Sequence, residues 1–231
     1  MISKIHDLLL WIHIPFGVVS LILFWLPISL RKGSALHRQY GRYYFYAMWV
    51  VLATSFLMSL CNLVMGRYPA AIYLGYLTIL TAYPLWYSLE ILQQKATWSL
   101  RYFLTRKIFL AILFLSGLGM ILLGTLKFHF ADMGVMMVFF GLVALPSGRE
   151  ILMSMDSAMK KEKRIRMHIR GTIISGIAAY TAFFAFGGSR ILIDILHIHH
   201  RWMIIPWTVP TLLGLVYIAY MKRKYKITTS T

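Results

Sequence analysis

Seven stretches of this 231-residue chain are apolar on all faces, and short polar segments separate them. A helix needs about 20 mostly apolar residues to cross a bilayer. Stretches of that length run over 7–30, 42–66, 70–93, 107–127, 131–152, 169–188 and 202–220. Polar punctuation such as Arg67-Tyr68-Pro69 and the segment 127–132 falls between them. Apolar residues fill whole segments instead of alternating, so the pattern predicts helices and not barrel strands. The expected fold is all-α: an integral membrane bundle of seven transmembrane helices, forming a single domain over 1–231. No long linker, low-complexity tract or internal repeat interrupts it.

Composition sharpens this picture. The chain is 59% hydrophobic and 13% charged, with a mean hydropathy of +0.69. Soluble domains carry about 25% charged residues, so lipid is the expected solvent. A net charge of +17 would suit nucleic acid, but nucleic-acid binders display their basic residues on a water-facing surface. Here Lys and Arg fall between apolar runs, where the partners are the lipid bilayer and its anionic head groups. Cytoplasmic loops retain positive charge. Of the 24 Lys and Arg, all but Lys4, Arg67, Lys127, Arg190 and Arg201 fall on one side of the seven-span map. That side is cytoplasmic, which puts the N-terminus outside and the C-terminus in the cytoplasm. Trp11, Tyr43, Tyr44, Tyr68, Trp98, Trp202 and Tyr220 lie near the expected interfaces, where amphipathic rings are favoured. Residues 154–170 are expected to carry helix five into the cytoplasm, with Asp156–Lys160 and Glu162–Arg166 at i,i+4 spacing.

Cys61 is the only cysteine. A disulfide within the chain, a CxxCH haem attachment and a cysteine-ligated metal cluster are therefore excluded. The first apolar run is too long for a signal-peptide core and ends at Arg31-Lys32, so it reads as a retained anchor.

Ionisable groups at membrane depth are costly, which makes each a candidate site. Glu90 and Glu150 fall at the cytoplasmic ends of helices three and five. His37 and His168 fall at or just before the cytoplasmic starts of helices two and six, and Arg42 and Arg170 follow them. The shared depth points to a site of His37, His168, Glu150 and Arg42, with Gly41 allowing close helix approach. The competing reading is that the carboxylates neutralise Arg101, Arg149 or Arg170. His13 lies two turns into helix one. It either satisfies the carbonyl freed by Pro15 or acts as a ligand beside Gly17.

The cluster His197-Ile198-His199-His200 resembles one histidine box of a membrane di-iron enzyme, but such centres need several boxes. It reads as interfacial polarity, dispensable for function. Helix seven has no lysine, which excludes an opsin-type retinal Schiff base. No GxxxxGK[ST], HExxH or GxSxG occurs. Gly117, Gly119 and Gly124, with Gly171 through Ala179, read as close helix packing. Pro206 and Pro210 predict a kink in the last helix.

Three blocks carry a resemblance: Leu36 to Val51, Met167 to Ala185 and Trp207 to Tyr225. Within them His37, Gly41 and Arg42, then His168, then Ala178 with Thr181 to Phe183, then Pro210, Thr211 and Gly214, together with His13, resemble the signature of a bacterial multi-pass membrane-protein family, domain of unknown function two-three-zero-six. Thr172 departs from the apolar residue of that pattern. The resemblance implies a bacterial inner-membrane location and draws attention to His13, His37 and His168, but it implies no activity.

Three function classes follow. The first is a redox protein in which His37 and His168 bind haem b or a metal, Glu150 orients, and Arg42 and Arg170 neutralise propionates. The second is a transporter or binding protein for an anionic lipid or small anion. The third is a lipid-modifying enzyme with a histidine base. The first is the leading expectation, because paired buried histidines are expensive without a ligand.

Overall fold

The computed structural model describes residues 1–94, 99–128, 132–152, 161–184, 209–214, 216–217 and 219–220. Regular structure among these residues is entirely helical. In chain order the elements are α1 (Ile2–Ser29), α2 (Ala35–Val64), α3 (Tyr68–Gln93), α4 (Leu100–Leu122), α5 (Asp132–Ala144), α6 (Pro146–Leu152) and α7 (Lys161–Ala182). Helix α4 runs on into a π-helical turn over Leu123–Lys127. Residues 209–214 are also helical.

Four helical segments are long and apolar enough to cross a membrane: Ile2–Ser29, Ala35–Val64, Leu100–Lys127 and Met133–Leu152. They mark the chain as a membrane protein. The helices begin earlier than the apolar runs predict, because Ser34 and Ser99 cap them in the polar border. Ser34 Oγ accepts from the His37 N–H at 3.1 Å, and Ser99 Oγ from the Tyr102 N–H at 3.2 Å. Such caps satisfy donors that the first helical turn leaves orphaned. Gly33 (φ 78°) and Gly66 (φ 72°) make the two hairpin turns α1–α2 and α2–α3 in the left-handed region that glycine favours. The expected fifth span is broken at Leu145. Pro146 has no N–H to continue α5, and α6 restarts there.

Helix α3 lies at the centre, packed against α2, α4 and α7, while α1 packs on α2 and touches α7. One core joins Phe24, Tyr44, Phe45, Met48, Leu52 and Leu85 from α1, α2 and α3, and Ala179 and Tyr180 of α7 pack on it. A second joins Tyr73 and Tyr76 of α3 to Leu113, Met120, Met137 and Phe140 of α4 and α5. Although 26 residues long, α3 is not among the four most apolar segments. Its tyrosines and hydroxyls lower its hydropathy, and its central position gives them protein partners. The Tyr76 hydroxyl donates to the Phe140 carbonyl at 2.6 Å, and Ser55 and Thr78 pair at 2.8 Å.

Glycines set the closest approaches. A Cβ on Gly117 would stand 3.1 Å from the Gly141 oxygen, and one on Gly124 only 2.5 Å from the Gly134 oxygen. Each pair is spaced by seven residues along its helix, so α4 and α5 meet backbone to backbone. Gly176 admits the Phe24 ring, and Gly171 admits Ser88 and Tyr87. These are the packing roles expected of them. Gly119, Gly17 and Gly41 differ, since a Cβ at each would meet nothing within 4 Å. Gly41 therefore does not mediate the close helix approach expected of it.

Gly141→Leu should lower thermal stability in detergent by about 1–3 kcal/mol, the usual cost of overpacking. Gly119→Leu, entering open space, should leave the melting temperature unchanged. Equal behaviour of the two variants would contradict the backbone contact between α4 and α5.

Candidate functional site

The end of the bundle that holds the α1–α2 turn also carries most of the described basic residues. There α1 finishes with main-chain carbonyls that have no helical partner. Lys32 Nζ donates to the Pro27 and Ile28 oxygens at 3.1 and 2.7 Å. His37, in the first turn of α2, brings its Nδ1 to 2.9 Å from the same Pro27 oxygen. A carbonyl oxygen only accepts, so Nδ1 carries the proton and Nε2 keeps its lone pair.

His168 is held in the same manner. It lies in the second turn of α7, which begins at Lys161, ahead of the apolar run. Its Nδ1 stands 2.7 Å from the Ser88 oxygen on α3, so Nδ1 again carries the proton and Nε2 keeps the lone pair. Gly171, one turn further on, lets α7 press against Ser88 for this bond. His168 lies within electrostatic reach of His37 and Lys32. The two histidines are each half-buried and each oriented by a main-chain carbonyl.

Register reinforces the pairing. Tyr44 follows His37 by seven residues and Ser175 follows His168 by seven, so each lies about 10 Å deeper on the same helix face. The Tyr44 hydroxyl and Ser175 Oγ are 2.9 Å apart. Ser175 Oγ also donates to the Thr172 oxygen at 2.8 Å, so Tyr44 is the donor in their bond. This bond ties α2 to α7.

The carboxylates sit elsewhere. Glu150 Oε2 accepts from Arg106 Nη2 at 2.8 Å, and Glu150 Oε1 lies 3.4 Å from Arg170 Nη2. Arg106 is 13% exposed, Glu150 23% and Arg170 54%. The Arg106 guanidinium also stands 5.9 Å over the Tyr87 ring. Of the arginines expected to neutralise a carboxylate, Arg170 does so. Arg106, the better buried partner, was missed by sequence reasoning, although it opens helix four at the depth of Glu150. Glu90 Oε1 lies 3.5 Å from Gln94 Nε2, and Arg164 donates to the Gln94 carbonyl. Arg42 is exposed. It follows His37 by five residues, which turns it well away from the His37 face.

His13 does not serve the carbonyl freed by Pro15. Its Nδ1 stands 2.9 Å from Thr54 Oγ1. Thr54 donates back to the Val50 and Val51 carbonyls at 2.8 and 3.0 Å, so it accepts from His13. The histidine thus ties α1 to α2. His129, the 197–200 cluster and Pro206 lie outside the described residues. Among the described residues no group of three or more His, Cys, Asp or Glu is placed to hold a metal ion.

No protein-family model, curated protein or solved structure matches the chain. The family resemblance therefore stands on its short sequence blocks alone.

Glu150→Gln strands the Arg106 charge and should cost about 3 kcal/mol, as breaking a buried ion pair does. Arg170→Gln removes the exposed partner and should cost less than about 1 kcal/mol. Thermal melts of both variants in one detergent test this order, and a larger loss from Arg170→Gln would reverse the assignment.

Proposed function

We propose that this chain is a seven-span protein of the bacterial inner membrane, N-terminus outside and C-terminus cytoplasmic, whose His37–His168 pair binds a redox-active metal centre, either haem b or a metal ion. One observation carries the reading. Both imidazoles donate through Nδ1 to main-chain carbonyls, so Nε2 is the ring atom that each has left to offer a ligand. Metal-ligating histidines are fixed in this way, the second nitrogen setting tautomer and ring orientation.

The same tautomer argues against the anion-binding class. An anion or phosphate head group needs donors, and a neutral imidazole held through Nδ1 presents only an acceptor. A general base would use the same Nε2 lone pair, but the carboxylate expected to orient it, Glu150, is committed to Arg106 and Arg170. The expected role of Arg170 beside a propionate meets the same objection. The asymmetric distribution of Lys and Arg along the chain supports the orientation.

Two experiments test the proposal. Reporter fusions after Gly33, Thr97 and Thr231 should all report the cytoplasm, and an external C-terminal reporter would make the span count wrong. Detergent-purified protein should carry stoichiometric iron or another transition metal, and His37→Gln and His168→Gln should each abolish it. Full metal content in either variant removes that histidine from the site.

A further inference from the structure

The ion-pair cluster at Glu150 carries more positive charge than it balances. Arg106 and Arg170 share its one carboxylate, and neither guanidinium meets a second acid among the described residues. The sharing is uneven. Glu150 Oε2 accepts a hydrogen bond from Arg106 at 2.8 Å, while Oε1 stands 3.4 Å from Arg170 Nη2, outside the usual N–H···O range. Arg106 is largely enclosed, whereas Arg170 is more than half exposed. The surplus charge therefore comes to the surface at Arg170, whose N–H groups make no hydrogen bond among the described residues. Arg166, one turn earlier on the same face of α7, adds a second cation.

The depth of the cluster identifies what meets that guanidinium. Leu100–Lys127 and Met133–Leu152 are two of the segments able to cross a membrane. The first has 28 residues, about 42 Å of helix, which matches a bilayer of about 40–45 Å with its head groups. Arg106 lies about 9 Å from its start, and Glu150 lies in the last turn of the second segment. Both positions fall near the border of hydrocarbon and head groups, the level of lipid phosphates. Exposed apolar residues flank them in the chain: Leu152 is 85% exposed and Ile108 60%. An open guanidinium on a rim of exposed apolar side chains is the complement of a phospholipid, anionic at its head and apolar in its tails.

We propose that Arg170, supported by Arg166, holds the phosphodiester of one anionic phospholipid where α4, α6 and α7 are joined by Glu150. Guanidinium and phosphate meet as a fork, two N–H groups on two oxygens. Arg170 keeps its contact with Glu150 and receives the phosphate on the nitrogens left over. Charge selects the lipid. With two guanidinia to one carboxylate, the cluster repels the ammonium that a zwitterionic head group carries beside its phosphate, so phosphatidylglycerol fits and phosphatidylcholine does not. The lipid approaches along the surface of the bundle and needs no opening within it. The site is independent of the histidine pair, so the failure of either reading leaves the other in place.

Thermal melts of the detergent-purified full chain, with phosphatidylglycerol, phosphatidylcholine or inorganic phosphate added, test this. A ligand bound by the folded state alone raises the melting temperature. Saturating phosphatidylglycerol should raise it by about 5 °C or more, and phosphatidylcholine by less than half as much. Arg170→Gln should still fold, since it removes an exposed partner, and should lose most of the gain. Arg170→Lys, which keeps the charge without the fork, should retain only part of it. Arg42→Gln removes an exposed arginine outside the cluster and should keep the gain in full. An undiminished gain in Arg170→Gln, or an equal loss in Arg42→Gln, reduces the effect to diffuse charge and overturns the site. A gain from inorganic phosphate that Arg170→Gln abolishes makes the ligand a soluble anion and overturns the lipid.

Discussion

Hydrocarbon offers a hydroxyl no partner, and α3 carries Tyr73, Tyr76, Tyr83 and Tyr87, two threonines and a serine into the bundle. The arrangement of the other helices follows from that cost. An exposed polar group in lipid loses several kcal/mol, so α3 takes the middle, where carbonyls and hydroxyls of α2 and α5 serve it. Helices α1 and α4 lie further out, with large residues such as Trp11, Ile22, Ile108 and Leu115 left exposed.

The same constraint organises the basic end. Carbonyls at the finish of α1 are claimed by Lys32 and His37, and a carbonyl near the finish of α3 by His168. Each of these side chains does a structural task with one atom. For the histidines a second ring atom, Nε2, remains beyond that task. The Glu150 ion pairs lie beside it as a separate system joining α4, α6 and α7. The single four-residue constellation expected from depth alone is thus resolved into a histidine pair and a charge cluster.

Much of this was legible in the chain. The lengths of the apolar runs located the far ends of the first four helices closely but placed the starts of α1, α2 and α4 too late, because hydropathy reports on lipid contact and not on the capped polar border. The serine caps and the glycine turns were less visible, since they extend helices into the polar border where hydropathy carries no signal. The ends of α7 and the break before Pro146 were blurred for the same reason. Depth along the helices indicated which ionisable residues share a level, but not which share a face. Arg106 escaped notice because its carboxylate lies 44 positions away in the chain, and His13 was matched to a local carbonyl when its partner is a hydroxyl of the next helix. Gly41 looked like every other membrane glycine, and only the empty surroundings of its α-carbon separate it from Gly117 or Gly176.

The glycine contacts between α4 and α5 bear on how such a chain enters its membrane. Where two backbones touch through Gly117–Gly141 and Gly124–Gly134, no lipid tail fits between them. A nascent α4 waiting alone in the bilayer would expose those notches and the carbonyls beside them until α5 was synthesised. Only a few residues connect the two helices, so the ribosome delivers the second almost as soon as the first. The two helices then leave the insertion machinery as one hairpin, and the synthesis order of the chain doubles as its assembly order.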